Sequence, residues 1–324
     1  MKKKISIFVL LIILALSLYL ALFAGYNDIG INLFSKLFNL ENDSDNMLLT
    51  LLRFPRALKA LIAGVCLALA GMFMQAISKN PLAEPYITGV SAGAGLGIVL
   101  SILFLNSSNY SIFGFLGALF ACVLVVLFSG FSKFSITKLI LIGLSINVFA
   151  NALMSLIILI NPMKSYTMML VLSGGVTNNE IISNKFLFLI FVVLLIISAL
   201  FVPKLNFLRL DSSLLETNKN KKYFYSATII ALCAFLTSIS VFAAGILGFI
   251  GIIVPQISKM LFGYDYRYLF VSNILLGASV VLIADFCARS VIYPLQVPLG
   301  LVVAFIGAPV FVYFLTKKGD MFND

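Results

Sequence analysis

The chain contains no histidine, which removes the commonest metal ligand and general base from the polypeptide. Charged residues make up only 10% of it, against roughly 25% in soluble domains, and 62% of positions are hydrophobic. A solvated globule is therefore excluded. The four cysteines, Cys66, Cys122, Cys233 and Cys287, lie far apart with no CxxC pair among them. Each falls in a hydrophobic run, which suits small buried side chains better than a metal site or a disulfide. No GxxxxGK[ST] stretch is present to cradle ATP phosphates. Carboxylates are missing from the middles of the hydrophobic runs, where a proton-driven carrier needs them. The alternatives of a secondary transporter and of a membrane-embedded enzyme or scaffold thus have little support, and no catalytic or metal-ligating residue is assigned.

What the chain does have is hydrocarbon. Runs such as 5–24 and 186–202 are continuous rather than alternating, so they read as membrane-spanning helices and not as barrel strands. The pattern predicts an all-α polytopic membrane protein with ten spans: 5–24, 57–77, 86–105, 112–131, 139–160, 186–203, 224–244, 248–262, 269–291 and 298–316. Met1-Lys-Lys-Lys followed by 5–24 could open a signal peptide. That run is longer than such a region and lacks a small-residue cleavage site, so a retained first span is the expectation. The net charge of +10 comes from lysines in short loops, which orient a membrane protein, and nucleic acid is not implied. With both ends on one side, loops there (Lys2–Lys4, Lys79, Lys133, Lys138, Lys204, Arg209, Lys219, Lys221, Lys222, Lys259, Arg267, Lys317, Lys318) outweigh those opposite (Lys36, Arg53, Arg56, Lys59, Lys164, Lys185, Arg289) by roughly two to one. Both termini are therefore expected in the cytoplasm.

Several residues stand out within this frame. Gly89, Gly93 and Gly97 recur every four positions and predict a smooth helix face for close packing; Gly245, Gly248 and Gly251 offer a second patch. Pro255 and Pro309 fall inside the eighth and tenth spans, where each removes a backbone donor. Asp285 and Arg289 are four apart, so they either neutralise each other or present the guanidinium outward. Arg53 and Arg56 flank Pro55 just outside the second span, and arginine suits bidentate binding of carboxylates. Ser91, Ser145, Asn147, Asn151, Ser155, Ser173, Thr237, Ser238 and Ser240 could line a path, with hydrogen bonds between helices the expected role for most. The segment 204–222 is the largest polar stretch and is too small for an ATPase domain. It reads either as a linker or as short helices against a cytoplasmic partner.

Three blocks of motif complete the reading. The first runs R-x-P-R at Arg53–Arg56, G-x-x-L-A-x-A-G-x-x-x-Q at Gly64–Gln75, N-P-L-A-x-P at Asn80–Pro85 and G-V-S-x-G-A at Gly89–Ala94. The second is Gly248-Phe-Ile-Gly-Ile-Ile-Val-Pro255-Gln256. The third joins Ala284-Asp285 and Arg289 to Pro298-Leu-Gly300 and Gly307-Ala-Pro309-Val-Phe311. In these blocks the chain resembles the FecCD-type permeases, membrane subunits of bacterial ABC importers for iron-siderophores, haem and vitamin B12, over nearly its whole length.

The resemblance implies a single permease domain over 1–324 in the inner membrane, one half of a type II importer dimer with the pathway at the interface. Its implied partners are a second permease chain, two cytoplasmic ATPase subunits holding ATP and Mg, and a periplasmic or lipid-anchored binding protein. By motif, Arg53, Arg56 and Arg289 resemble the arginines that meet the binding protein. Asn80 and Leu82 resemble the inner gate, with Ile136 and Thr137 near a second constriction. The ATPase is implied to dock within 204–222, at Arg209, Leu210, Asp211, Leu214, Leu215 and Glu216. An iron-siderophore is the first implied cargo, with haem or cobalamin possible. Gln256 stands where the family usually has histidine and Lys259 where it has arginine, both outside these expected contacts. The stretch Leu210–Asn218 departs from the usual glycine-containing pattern, which leaves individual ATPase contacts open.

Overall fold

The structure, a computed structural model, describes residues 2–24, 48–105, 110–129, 136–176, 184–209, 219–292 and 295–317. Among them are eleven α-helices and no strand. They are α1 (Lys2–Phe23), α2 (Phe54–Ser78), α3 (Val90–Phe104), α4 (Tyr110–Ser129), α5 (Ile136–Ile160), α6 (Pro162–Leu172), α7 (Asn184–Arg209), α8 (Lys219–Ala244), α9 (Ile250–Phe262), α10 (Tyr266–Ser290) and α11 (Leu299–Lys317). Each of the ten expected spans overlaps one helix. Seven helices are long and apolar enough to cross a membrane, while Val90–Phe104, Ile250–Phe262 and Leu299–Tyr313 are shorter apolar pieces. The additional helix is α6. Its Lys164, Ser165, Tyr166 and Thr167 look like loop in the sequence, but Pro162 sits in its first turn, where the missing N–H costs nothing.

The bundle is organised around α2, which packs against α7, α8, α9 and α10. Its small residues explain that position. Gly64 meets Gly277 of α10 and Gly71 meets Gly251 of α9 so closely that a Cβ at either would strike backbone oxygen. Pro55 opens α2, and Lys79 closes it in the left-handed conformation (φ 51°) before Asn80-Pro81. Lys59, counted above among loop charges, lies within α2 and is buried.

The α3–α4 pair shows the same device. A Cβ on Gly93 would strike Gly117 and Ala121, and one on Gly97 would strike Phe113. Gly89 does not share that face. It is the left-handed residue (φ 77°) preceding α3, and it approaches Gly143 and Ile146 of α5 instead. The second glycine patch breaks up similarly: only Gly251 packs on a helix, because Gly245 (φ 74°) and Gly248 belong to a non-helical stretch.

Three such stretches, 173–176, 245–249 and 295–298, interrupt the helices, and the first is bonded to the helix ends that flank the other two. Gly175 N donates to Ala244 O (3.0 Å), Leu299 N to Gly174 O (3.0 Å) and Gly300 N to Ser173 O (3.1 Å). These bonds satisfy backbone groups that would otherwise be left unpaired where the helices break. Consequently α9 starts in mid-bundle, and its 13 residues span about 20 Å, short of the roughly 30 Å of a hydrocarbon core.

The expected interhelical role of the small polar residues is corrected for those whose bonds are resolved. Ser145 Oγ donates to Leu141 O, Ser173 Oγ to Met169 O and Thr237 Oγ1 to Cys233 O, while Asn151 Nδ2 donates to Asn147 Oδ1 (2.9 Å). A hydroxyl on a helix reaches the carbonyl one turn back before it reaches a neighbouring helix.

Candidate functional site

One end of the bundle is built on arginine. A π-helical turn, Leu48–Arg53, leads into α2 and places Arg53 and Arg56 one turn apart. Arg56 Nε lies 2.9 Å from Asp285 Oδ1, and Arg289 Nε lies 3.1 Å from Asp285 Oδ2. One buried carboxylate thus holds two guanidiniums, one on each oxygen. Arg289 also donates through Nη2 to Ala21 O of α1 (3.0 Å), and Arg56 through Nη1 to Gln296 Oε1 (3.0 Å). Arg53 is buried and donates to Leu22 O (2.8 Å), so it ties the entry of α2 to the end of α1. The expected self-neutralisation of Asp285 and Arg289 is therefore a three-member cluster, and the Arg56 link was not visible in the sequence.

Arg56 and Gln296 open onto a cavity of ≈ 170 Å³, which is also lined by Tyr110, Val241, Pro298 and the Gly174–Gly175 backbone. The cluster carries two positive charges against one negative. A site with that excess favours an incoming carboxylate or other anion, and guanidinium forks give it directional hydrogen bonds.

The opposite end of α2 carries a second polar assembly. Residues 79–89 do not simply turn back; they form a strap laid along the start of α9. Tyr86 Oη accepts Leu247 N–H (3.1 Å), Glu84 Oε1 accepts Phe249 N–H (3.0 Å), and Gln256 Nε2 donates to Pro81 O (2.7 Å). The numbering runs antiparallel, falling along the strap as it rises along α9. Gln75, at the last turn of α2, ties the assembly together. Its Nε2 donates to Gly251 O (3.2 Å), and its Oε1 accepts from Gln256 Nε2 (3.0 Å) and from Lys259 Nζ (2.7 Å).

Asn80 and Leu82 form the apex of this strap. Asn80 Oδ1 accepts Leu82 N–H (2.9 Å) in a local turn that leaves Leu82 exposed. Burial pushes the Glu84 carboxyl up from its ordinary 4.5 to about 7, although the Phe249 amide favours its ionised form. Gln75, Glu84, Gln256 and Lys259 were not named as site residues by sequence reasoning. The signal was present in Gln75, a lone amide at the end of a run of buried small residues.

Other expected site residues are placed more simply. Ile136 and Thr137 form the first turn of α5, the helix that packs on the Pro85–Thr88 turn of the strap. Arg209 is the last residue of α7, while Leu210, Asp211, Leu214, Leu215 and Glu216 lie outside the described residues. The end of α7 is nevertheless anchored: Asn206 Nδ2 donates to Asp265 Oδ1 (3.3 Å) and Asn206 Oδ1 accepts Tyr266 N–H (3.2 Å). On α5, Ser145, Asn151 and Ser155 are exposed on one side of a helix that the rest of the chain barely covers.

Comparison with known proteins places this geometry. Residues 11–317 match the model of the FecCD transport family. The Fe(3+)-citrate import system permease protein YfmD of Bacillus subtilis (strain 168) is 33% identical, over 98% of this chain and 96% of its own. A protein named as a probable heme-iron transport system permease, IsdF of Staphylococcus aureus (strain Newman), is 31% identical over 98% and 97%. A solved structure described as a metal-chelate type ABC transporter in an inward-facing conformation superposes with a TM-score of 0.86 at 29% identity, covering 97% of this chain and 99% of that one. The chain of PsaBC from Streptococcus pneumoniae shares the fold at a TM-score of 0.56 and 17% identity, over 83% and 93%.

Proposed function

The chain belongs to the FecCD transport family of ABC importer permease subunits, transport components rather than enzymes, and from that membership we propose that it carries an iron chelate inward. An iron-siderophore or ferric citrate complex is the cargo the relatives favour, with haem second. The chain has no histidine, and among the described residues no three His, Cys, Asp or Glu side chains form a group able to hold a metal ion. The metal therefore passes inside its chelator, held by shape and small polar groups.

The observation that carries the reading is the exposed side of α5, where Ser145, Asn151 and Ser155 interrupt large apolar residues. Asn151 keeps an amide oxygen and a second N–H beyond its bond to Asn147, and polar groups of this kind favour another chain or water over lipid, so that side faces a water-filled path shared with a second permease chain. The whole of 1–324 acts as one permease domain of the inner membrane, its termini and the Gln75 end in the cytoplasm. There the 204–222 segment docks on one of two ATPase subunits, which hold ATP and Mg. Their closure moves the strap carrying Asn80 and Leu82. At the other end, the Arg56–Asp285–Arg289 cluster receives acidic groups of a periplasmic or lipid-anchored binding protein.

Proteoliposomes test this. The permease assembled with its ATPase and binding protein is expected to accumulate radiolabelled ferric citrate or a ferric hydroxamate only when ATP is inside the ATPase-accessible compartment. Accumulation by the permease alone, driven by a proton gradient, overturns the proposal.

A further inference from the structure

We propose that the strap 80–86 and the start of α9 form one lever, in which Gln256 is the positioning residue that ties α9 to the exposed Leu82. This rests on the ATP-driven reading above and names the residues that transmit the motion.

Four contacts fasten the strap to this region, two of them on α9 itself (Gly251 and Gln256) and two on the residues just before it (Leu247 and Phe249). They are Tyr86 to Leu247, Glu84 to Phe249, Pro85 against Gly251, and Pro81 to Gln256. Since α9 begins in mid-bundle after the non-helical 245–249, no continuous helix holds its upper end, and a rotation there is absorbed by irregular backbone. The strap cannot follow a different path from α9 without breaking bonds at both its ends. Gln256 is the outermost fastening, one residue from Leu82, and it is shared with Gln75 Oε1, which Lys259 also holds.

The drive enters from the far end of α9. Only Gly263 and Tyr264 separate α9 from Asp265, whose side chain caps α10 through Arg267 N–H (3.0 Å) and bonds Asn206 near the end of α7. Asn206 lies in the last turn of α7, which ends at Arg209. A push on the end of α7 therefore reaches Asp265 through Asn206, then α9, then the strap. Each step is a hydrogen bond or a short covalent link rather than mere proximity.

The test uses the assembled permease and ATPase with Cys287→Ser and Leu82→Cys, reading alkylation by N-ethylmaleimide with and without ATP trapped by vanadate. In the otherwise unaltered protein, nucleotide is expected to change the alkylation rate roughly five- to hundredfold. Gln256→Leu should abolish that change while ATPase rate and melting temperature stay near the parent values. Gln256→His, which restores an N–H donor toward Pro81, should recover it. Asn206→Leu, at the other end of the lever, should reproduce the loss and stands as the test should Gln256→Leu fail to assemble. An unchanged nucleotide response in Gln256→Leu or Asn206→Leu overturns the lever, as does a lowered melting temperature with the response intact. A parent complex in which ATP leaves Leu82→Cys unaffected overturns instead the ATP-driven reading on which the lever rests.

Discussion

Asp285 shows how one side chain can decide the state of two others. Removing Arg56 leaves the Asp285–Arg289 pair, and removing Arg289 leaves Arg56–Asp285. Removing the carboxylate instead leaves two guanidiniums facing each other at a largely desolvated site. Asp285→Asn is therefore expected to cost about 3 kcal/mol, more than Arg56→Ala, because an uncompensated buried charge is worse than a lost pair. Melting temperatures in detergent check the ordering, and an Asp285→Asn protein as stable as the parent refutes it. Glu84 gives a pH signature. Its carboxyl ordinarily titrates at 4.5 and is pushed up to about 7 in the fold by burial. The stability it contributes is whole below about pH 4.5 and is lost as pH rises through about 7, an effect on the order of 3 kcal/mol. Glu84→Gln should thus gain on the parent at pH 8 and match it at pH 5 in thermal melts; parallel pH profiles for the two proteins exclude this. The Asp285–Arg289 pair was legible because helical spacing puts i and i+4 on one face. The Arg56 bond was not, since 229 positions separate the partners and no local pattern records their approach.

Among elements, α2 and α9 depend on contact between their backbones. A Cβ at Gly71 would collide with the Gly251 carbonyl, so Gly71→Ala should force the helices apart at a cost of about 1–3 kcal/mol and loosen the Gln75 bonds beyond it. Gly248→Ala meets nothing within 4 Å and should be neutral. Equal melting temperatures for the two variants would show that the close approach carries no load. The helices themselves were readable from continuous apolar runs, which is why every expected span overlaps one. Their breaks were less readable. Gly89 has the right spacing for a helix face, yet its positive φ makes it a cap, and spacing alone cannot distinguish the two uses of glycine. The strap escaped for a related reason: Asn80-Pro81 signals a turn, but the bonds that hold it against 249–256 come from residues some 170 positions away.

Across the whole molecule, two poorly covered helices differ in what they expose. On α7 the outward residues are Phe188, Leu189, Val193, Ile196 and Leu200, a surface that lipid tails match. On α5 apolar residues such as Val148 and Leu156 are interrupted by Ser145, Asn151 and Ser155. Fold and class follow from composition and need no partner, but the interface between chains proposed above would leave only such a faint trace in one sequence. Thiol chemistry separates the two surfaces, because modification proceeds through the thiolate, which forms in water and hardly at all in hydrocarbon. With Cys287 replaced by serine, Cys66, Cys122 and Cys233 are buried and give little background. Asn151→Cys and Ser155→Cys in the assembled importer should then react with a charged, membrane-impermeant thiosulfonate, while Leu200→Cys should not. If all three stay equally unreactive in every nucleotide state, the exposed side of α5 faces lipid, and the path through this protein must be sought elsewhere.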